Sequence, residues 1–196
     1  MRYFAILLFF LVFAACKPET YTPKPRGYFK VDFPTRSYQQ FISASFPYTF
    51  EYPKYGKISN DTSFFGQKPE NPYWINIDFP DLGGRIYLSY KIISPTQPLG
   101  KLIEDAYTMT YKAHDKKADY IEPFLFHNDS AHVHGLLYNV GGNAASAYQF
   151  FATDSMKHFI RGALYFDTTP NADSLKPVNE FLLQDIKHIL QTTRWK

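Results

Sequence analysis

Cysteine is nearly missing from this sequence, with one in 196 residues, at position 16, and none after it. The body therefore has no intramolecular disulfide, no thiolate zinc site and no cysteine nucleophile, and its stability must come from packing. Charge of one sign is scarce as well, since 21 Lys+Arg stand against 18 Asp+Glu and are spread along the chain. So small and dispersed an excess excludes the basic stripe that nucleic-acid binding requires, and no such partner is expected. Tryptophan is rare, at 2 residues, beside 16 Tyr and 19 Phe. What is present is a strongly hydrophobic chain, 45% by residue, far from the composition of a disordered one.

The start of the chain has export architecture. Arg2 gives a minimal positive region, Phe4 to Phe13 form an uncharged apolar run, and Ala14, Ala15 and Cys16 follow. The run is shorter than the roughly 20 residues a membrane-spanning helix needs, and small residues follow it where a peptidase would cut. Ala14-Ala15-Cys16 resembles the lipobox of bacterial lipoproteins, with Phe13 where that pattern usually has an aliphatic residue. The resemblance implies cleavage before Cys16 and a covalent lipid on it, with no other cofactor. At about 0.8 kcal/mol per buried methylene, several acyl chains together hold a protein on a bilayer. Residues 1–15 are thus read as a signal peptide and 16–27 as the lipidated cysteine and a proline-rich tether. Removing the signal leaves 196 − 15 = 181 residues, with residues 28–196 forming one domain. From Lys17 to Gly27 there are three prolines and little to bury, which predicts an extended, partly polyproline-like segment.

The body reads as strands, helix, strands, helix. Tyr48 to Tyr52 alternates aromatic and polar side chains between Pro47 and Pro53, the period of a half-buried strand. Trp74 to Phe79 and Arg85 to Ile93 flank Asp81-Leu82-Gly83-Gly84 and predict an antiparallel hairpin. Residues 54–72 read as a long surface loop with a short edge segment at Lys57 to Ser59. After Pro98, Leu99, Leu102, Ile103, Ala106, Tyr107, Thr110 and Ala113 recur at helical spacing. Residues 119–126 and 132–140, then 147–153 and 158–167, form two strand-like pairs that predict a four-stranded meander. Asp173 or Ser174 is positioned to cap a last helix with Pro177 in its first turn and a stripe through Val178, Phe181, Leu182, Ile186, Ile189 and Leu190. The order predicts an α+β domain, mainly antiparallel sheet covered by two principal helices. It looks like the PsbP and Mog1 class of folds, an architectural analogy that implies no function.

Reactive side chains form no recognisable catalytic set. His132 and His134 at strand spacing, with His127 and Asp129 near, suggest a metal site, yet zinc takes three or four ligands and the pair reads better as polar, outward-facing strand residues. Ser130, Ser155, His127, His158, Asp129 and Asp154 lack the local context of a nucleophile elbow, and Gly83-Gly84 and Gly141-Gly142 lack the strand-to-helix pattern of a phosphate loop. No catalytic residue and no metal ligand is assigned. The aromatic residues read mainly as strand core, with any exposed patch best suited to a protein partner.

One stretch is distinctive: Pro23-Lys-Pro-Arg-Gly-Tyr-Phe-Lys-Val-Asp-Phe-Pro34, followed by Phe46-Pro-Tyr-Thr-Phe-Glu-Tyr-Pro53. Together with Trp74-Ile-Asn-Ile-Asp-Phe79 and the order of the helices, it resembles the gliding-motility lipoprotein D family (GldD) of the Bacteroidetes. The resemblance implies a non-enzymatic component of gliding and type IX protein secretion, acting with other lipoproteins and outer-membrane proteins. It supplies only Cys16 as a functional residue. On physical grounds Tyr28, Phe29 and Phe33 are candidate partner-binding anchors on an extended segment that either lies across its own domain or adds to a partner. Lys17-Pro18-Glu19-Thr20 lacks the acidic run associated with surface export in some Bacteroidetes lipoproteins, so the resemblance implies the periplasmic face of the outer membrane. The alternative is an envelope lipoprotein that binds a small ligand, or a hydrolase.

Overall fold

The computed structural model describes residues 30–60 and 68–196. The leader, Cys16, the tether, Tyr28 and Phe29 lie outside the described residues. Seven strands, β3 (Lys57–Asn60), β4 (Ile75–Phe79), β5 (Gly84–Ile92), β6 (Ala118–Asn128), β7 (Val133–Gly142), β8 (Tyr148–Thr153) and β9 (His158–Phe166), form the main sheet. Its order is β3-β4-β5-β9-β8-β7-β6, antiparallel throughout. A smaller sheet places β2 (Tyr48–Pro53) between β1 (Tyr38–Phe41) and β10 (Arg194–Trp195). The two principal helices are α1 (Leu99–Tyr111) and α2 (Ala172–Thr192).

The sheet order follows from one excursion. After β5 the chain leaves the sheet as α1, lays down β6 at the far rim, and returns through β7 and β8 until β9 pairs with β5, Leu88 opposite Gly162. The predicted meander is this return. Alternation then sorts the side chains, because successive strand residues point to opposite faces. Ile75, Ile77, Ile86, Leu88, Tyr148, Phe150, Ile160 and Leu164 pack with Tyr48 and Phe50 of the small sheet and with Leu182, Ile186 and Ile189 of α2. On the opposite face, Tyr138, Val140, Phe151 and Phe159 pack with Leu102 and Ala106 of α1. β8 is covered from both sides and all six of its residues are buried. Gly162 fits because a Cβ there would run into the Phe150 ring.

Three local expectations change. The side chain that caps α2 is that of Asn171, which accepts from the Ser174 N–H at 3.1 Å, so the helix starts earlier than a cap at Asp173 or Ser174 allows. Pro177 consequently stands inside α2 and not in its first turn; lacking an N–H, it removes one ladder bond. His132 is not a strand residue. It ends a short 3₁₀ turn (Asp129–Ala131) in the left-handed region at φ 51°, and β7 begins at Val133. The edge segment foreseen at Lys57 is β3, inside what reads as loop.

Candidate partner-docking surface

β6 is eleven residues long and, among the described residues, hydrogen-bonds to a neighbouring strand only through β7, so its outer edge offers main-chain groups that no described strand pairs. Its side chains are unusually open for an apolar strand: Tyr120, Phe124 and Leu125 are 49%, 51% and 85% exposed. Behind the edge, a groove of about 500 Å³ runs between β6–β7 and α2, walled by Phe124, Phe126, Leu137, Tyr148, Leu183 and Leu190. Lys187, Asn139 and Gln191 give it polar points. Asn128 Nδ2 donates to the Gln191 carbonyl at 2.9 Å, which ties the end of β6 to the last turn of α2 at one end of the groove. Pro123 and a register shift between Ala118 and Ile121 interrupt the strand, features that restrain indiscriminate edge pairing. An apolar groove beside a free strand edge suits an extended polypeptide, whose main chain pairs with the edge while its side chains enter the groove.

The N-terminal segment runs along another side of α2. Phe33, expected as a partner anchor, stacks on Phe181 with ring centres 4.4 Å apart and stays 39% exposed. It therefore packs on its own domain. The Arg36 guanidinium lies 4.1 Å from the same ring, donates to the Phe181 carbonyl at 2.7 Å and stands 3.6 Å from Asp185. Asp185 is fully buried and accepts hydrogen bonds from Tyr38 (3.0 Å) and Tyr55 (2.5 Å). Burial raises the Asp185 pKa, against the hydrogen bonds of Tyr55 and Tyr38 and the charge of Arg36. Burial, with the Asp185 carboxylate adding to it, pushes Tyr38 up to about 12. His188 stacks on Tyr38 at 3.6 Å and meets Glu51 at 2.7 Å. These contacts clasp the N-terminal segment and the small sheet to α2.

The polar residues considered for chemistry have local partners instead. Asp154 Oδ1 accepts the backbone N–H groups of Met156, Lys157 and His158, closing the β8–β9 turn. His158 is buried beside Tyr90, its Nδ1 2.7 Å from the hydroxyl, and stacks on Trp195 at 5.2 Å. Ser130 donates to Asn128 Oδ1. His134 Nε2 lies 2.6 Å from Ser155 Oγ on the surface. His127 and His134 face each other across β6 and β7, but among the described residues no group of three His, Cys, Asp or Glu is placed to hold a metal. Sequence reading overlooked this exposed edge, although Phe124-Leu125-Phe126 puts large apolar groups on both faces of one strand, a pattern that signals exposure unless both faces are covered. It also passed over Arg161, a lone cation in the apolar run from His158 to Phe166.

Comparison with known proteins places the chain beside a family and a solved structure. A family model described as gliding motility lipoprotein GldD matches residues 18–195. The solution structure of cyanobacterial PsbP (CyanoP) from Synechocystis sp. PCC 6803 matches at 13% identity and a TM-score of 0.49, covering 83% of this chain and 95% of that one. No curated protein sequence matches.

Proposed function

The chain belongs to the gliding motility lipoprotein GldD family, and on that premise we propose a non-enzymatic assembly or scaffold component of gliding motility and type IX protein secretion. The family match over nearly the whole chain carries this reading. In it, Cys16 bears the lipid, the outer membrane holds the protein on its periplasmic face, and the residues from Lys17 to Gly27 set the domain off the bilayer. At about 3.1 Å per residue in an extended proline-rich chain, those 11 residues reach roughly 30 Å. The partner is another envelope protein of the same machine, contributing an extended segment to the edge of β6 and the groove beside it.

Deletion of the gene tests the reading. Loss of gliding and of type IX cargo from the medium, restored by the wild-type gene and not by Cys16→Ser, is expected; secretion and gliding that continue unchanged would refute it. Protease digestion of intact cells checks the side of the membrane, since a periplasmic domain survives until the outer membrane is opened. The small-ligand alternative keeps one observation of its own, a cavity under α1 with a buried arginine in its wall.

A further inference from the structure

Charged side chains are rarely buried without a partner of opposite sign, because removing an ion from water costs more than hydrogen bonds to neutral groups return. Arg161 breaks that rule. It lies on β9 between Ser89 and Phe151 in the sheet register, on the face that α1 covers, and is only 9% exposed. Its Nη2 donates to Oε1 of Gln149, a fully buried neutral amide whose oxygen also lies 3.3 Å from Thr110 Oγ1. Among the described residues no carboxylate stands within ion-pair distance of it. Burial lowers its pKa from the usual arginine value, yet a guanidinium starts so high that it stays charged.

The Arg161 side chain lines a cavity of about 260 Å³ between α1 and the sheet. Leu102, Met109 and Phe159 make its apolar walls, and Ser89 and Thr108 bring hydroxyls. Lys91 also borders it, but its ammonium is bound to Glu70 at 2.5 Å, so its charge is already met. Asp105 stands at the solvent side of the cavity, exposed, and disfavours a ligand with two negative charges. A planar carboxylate matches the two-pronged guanidinium, and a short hydrocarbon tail matches the walls.

We infer that this cavity binds a small organic monocarboxylate, with Arg161 holding the carboxylate and Leu102, Met109 and Phe159 enclosing the tail. The site is separate from the β6 groove and does not depend on the scaffold reading. Thermal unfolding of the purified full chain in detergent tests it, with butanoate, butan-1-ol and inorganic phosphate as probes. Butanoate should raise Tm saturably, by about 4 °C at ten times its half-saturating concentration. Butan-1-ol, with the same tail and no charge, should give no rise, and phosphate less than butanoate. Asp105→Asn, at an exposed position, should tighten butanoate about threefold, a typical effect of removing one nearby like charge at a surface. Arg161→Met should abolish the response; if that variant fails to fold, the acid–alcohol pair and Asp105→Asn still decide. Equal shifts from butanoate and butan-1-ol, a larger shift from phosphate, or no shift from butanoate would overturn the inference.

Discussion

Between α2 and the main sheet, Ile77, Ile86 and Leu164 pack on Leu182 and Ile186, and the buried Asp185 of that helix is met by Arg36, Tyr38 and Tyr55 of the N-terminal part of the chain; between α1 and the other face of the same sheet, the sheet itself buries Gln149 and Arg161 beside Thr110 and His114. The α2 side also gathers the small sheet, so two layers of structure press on it, whereas among the described residues α1 covers the other side with a smaller apolar cluster. The difference separates two tasks. Close apolar packing supplies stability wherever it occurs, while buried polar groups cost stability unless each finds its partner and are worth keeping where they meet something specific.

Truncation in the cores is the strongest way to break that contrast. Leu182→Ala, at a fully buried position on α2, should cost about 3–4 kcal/mol in denaturant unfolding, and Leu102→Ala on α1 about 2 kcal/mol, because a thinner layer relaxes more readily around the cavity. Equal losses would mean that the two faces are equivalent.

Alkaline titration acts mainly on the α2 side. Burial, then the charge of Asp154, pushes the Tyr90 hydroxyl up to about 12, and Tyr38 reaches a similar value. The unfolded chain releases these protons near pH 10 and the folded one later, so the fold binds protons more tightly. Stability is then complete below pH 10 and falls as pH rises through 10 to 12. For Tyr90, 1% exposed, about 3 kcal/mol is at stake. Tyr90→Phe should flatten the fall in stability between pH 10 and 12 when denaturant unfolding is followed across that range; an unchanged pH dependence would contradict the burial argument.

A smaller effect sharpens the comparison at the start of α2. Asn171→Ala removes the cap on the Ser174 N–H and should cost about 1 kcal/mol by the same unfolding assay. Least disturbing to the fold is Leu125→Ser at the open rim, 85% exposed, expected to change stability by less than about 0.5 kcal/mol while reducing the envelope proteins that co-purify with the chain. A large stability loss there would assign Leu125 to the core.

How much of this was legible in the sequence depends on how far apart the deciding residues lie. The alternation in Tyr48 to Tyr52, the hairpin around Gly83-Gly84 and the stripes of both helices are local signals, and the strands and helices stand where those signals place them. β1 and β10 were not legible: Tyr38-Gln39-Gln40-Phe41 does not alternate, β10 has two residues, and both exist because β2 offers each an edge. The candidate docking surface was readable as a strand but not as a rim, since the excursion through α1 decides that β6 lies outermost among the described strands. Arg161 likewise reads as an ordinary strand residue until α1 crosses above it. Phe33 was seen as an aromatic anchor, and only the fold reveals that Phe181 takes it.

The clasp on α2 has a mechanical consequence. A pull on the chain at Lys30 is received by the helix at Phe181, Asp185 and His188, through Phe33, Arg36, Tyr38 and Glu51. Leu183, Lys187 and Leu190 of the same helix wall the groove. In the proposed arrangement one rod takes tension on one flank and offers a grip on another, so a load between a lipid anchor and a partner in the groove would pass through α2 without having to stretch the sheet.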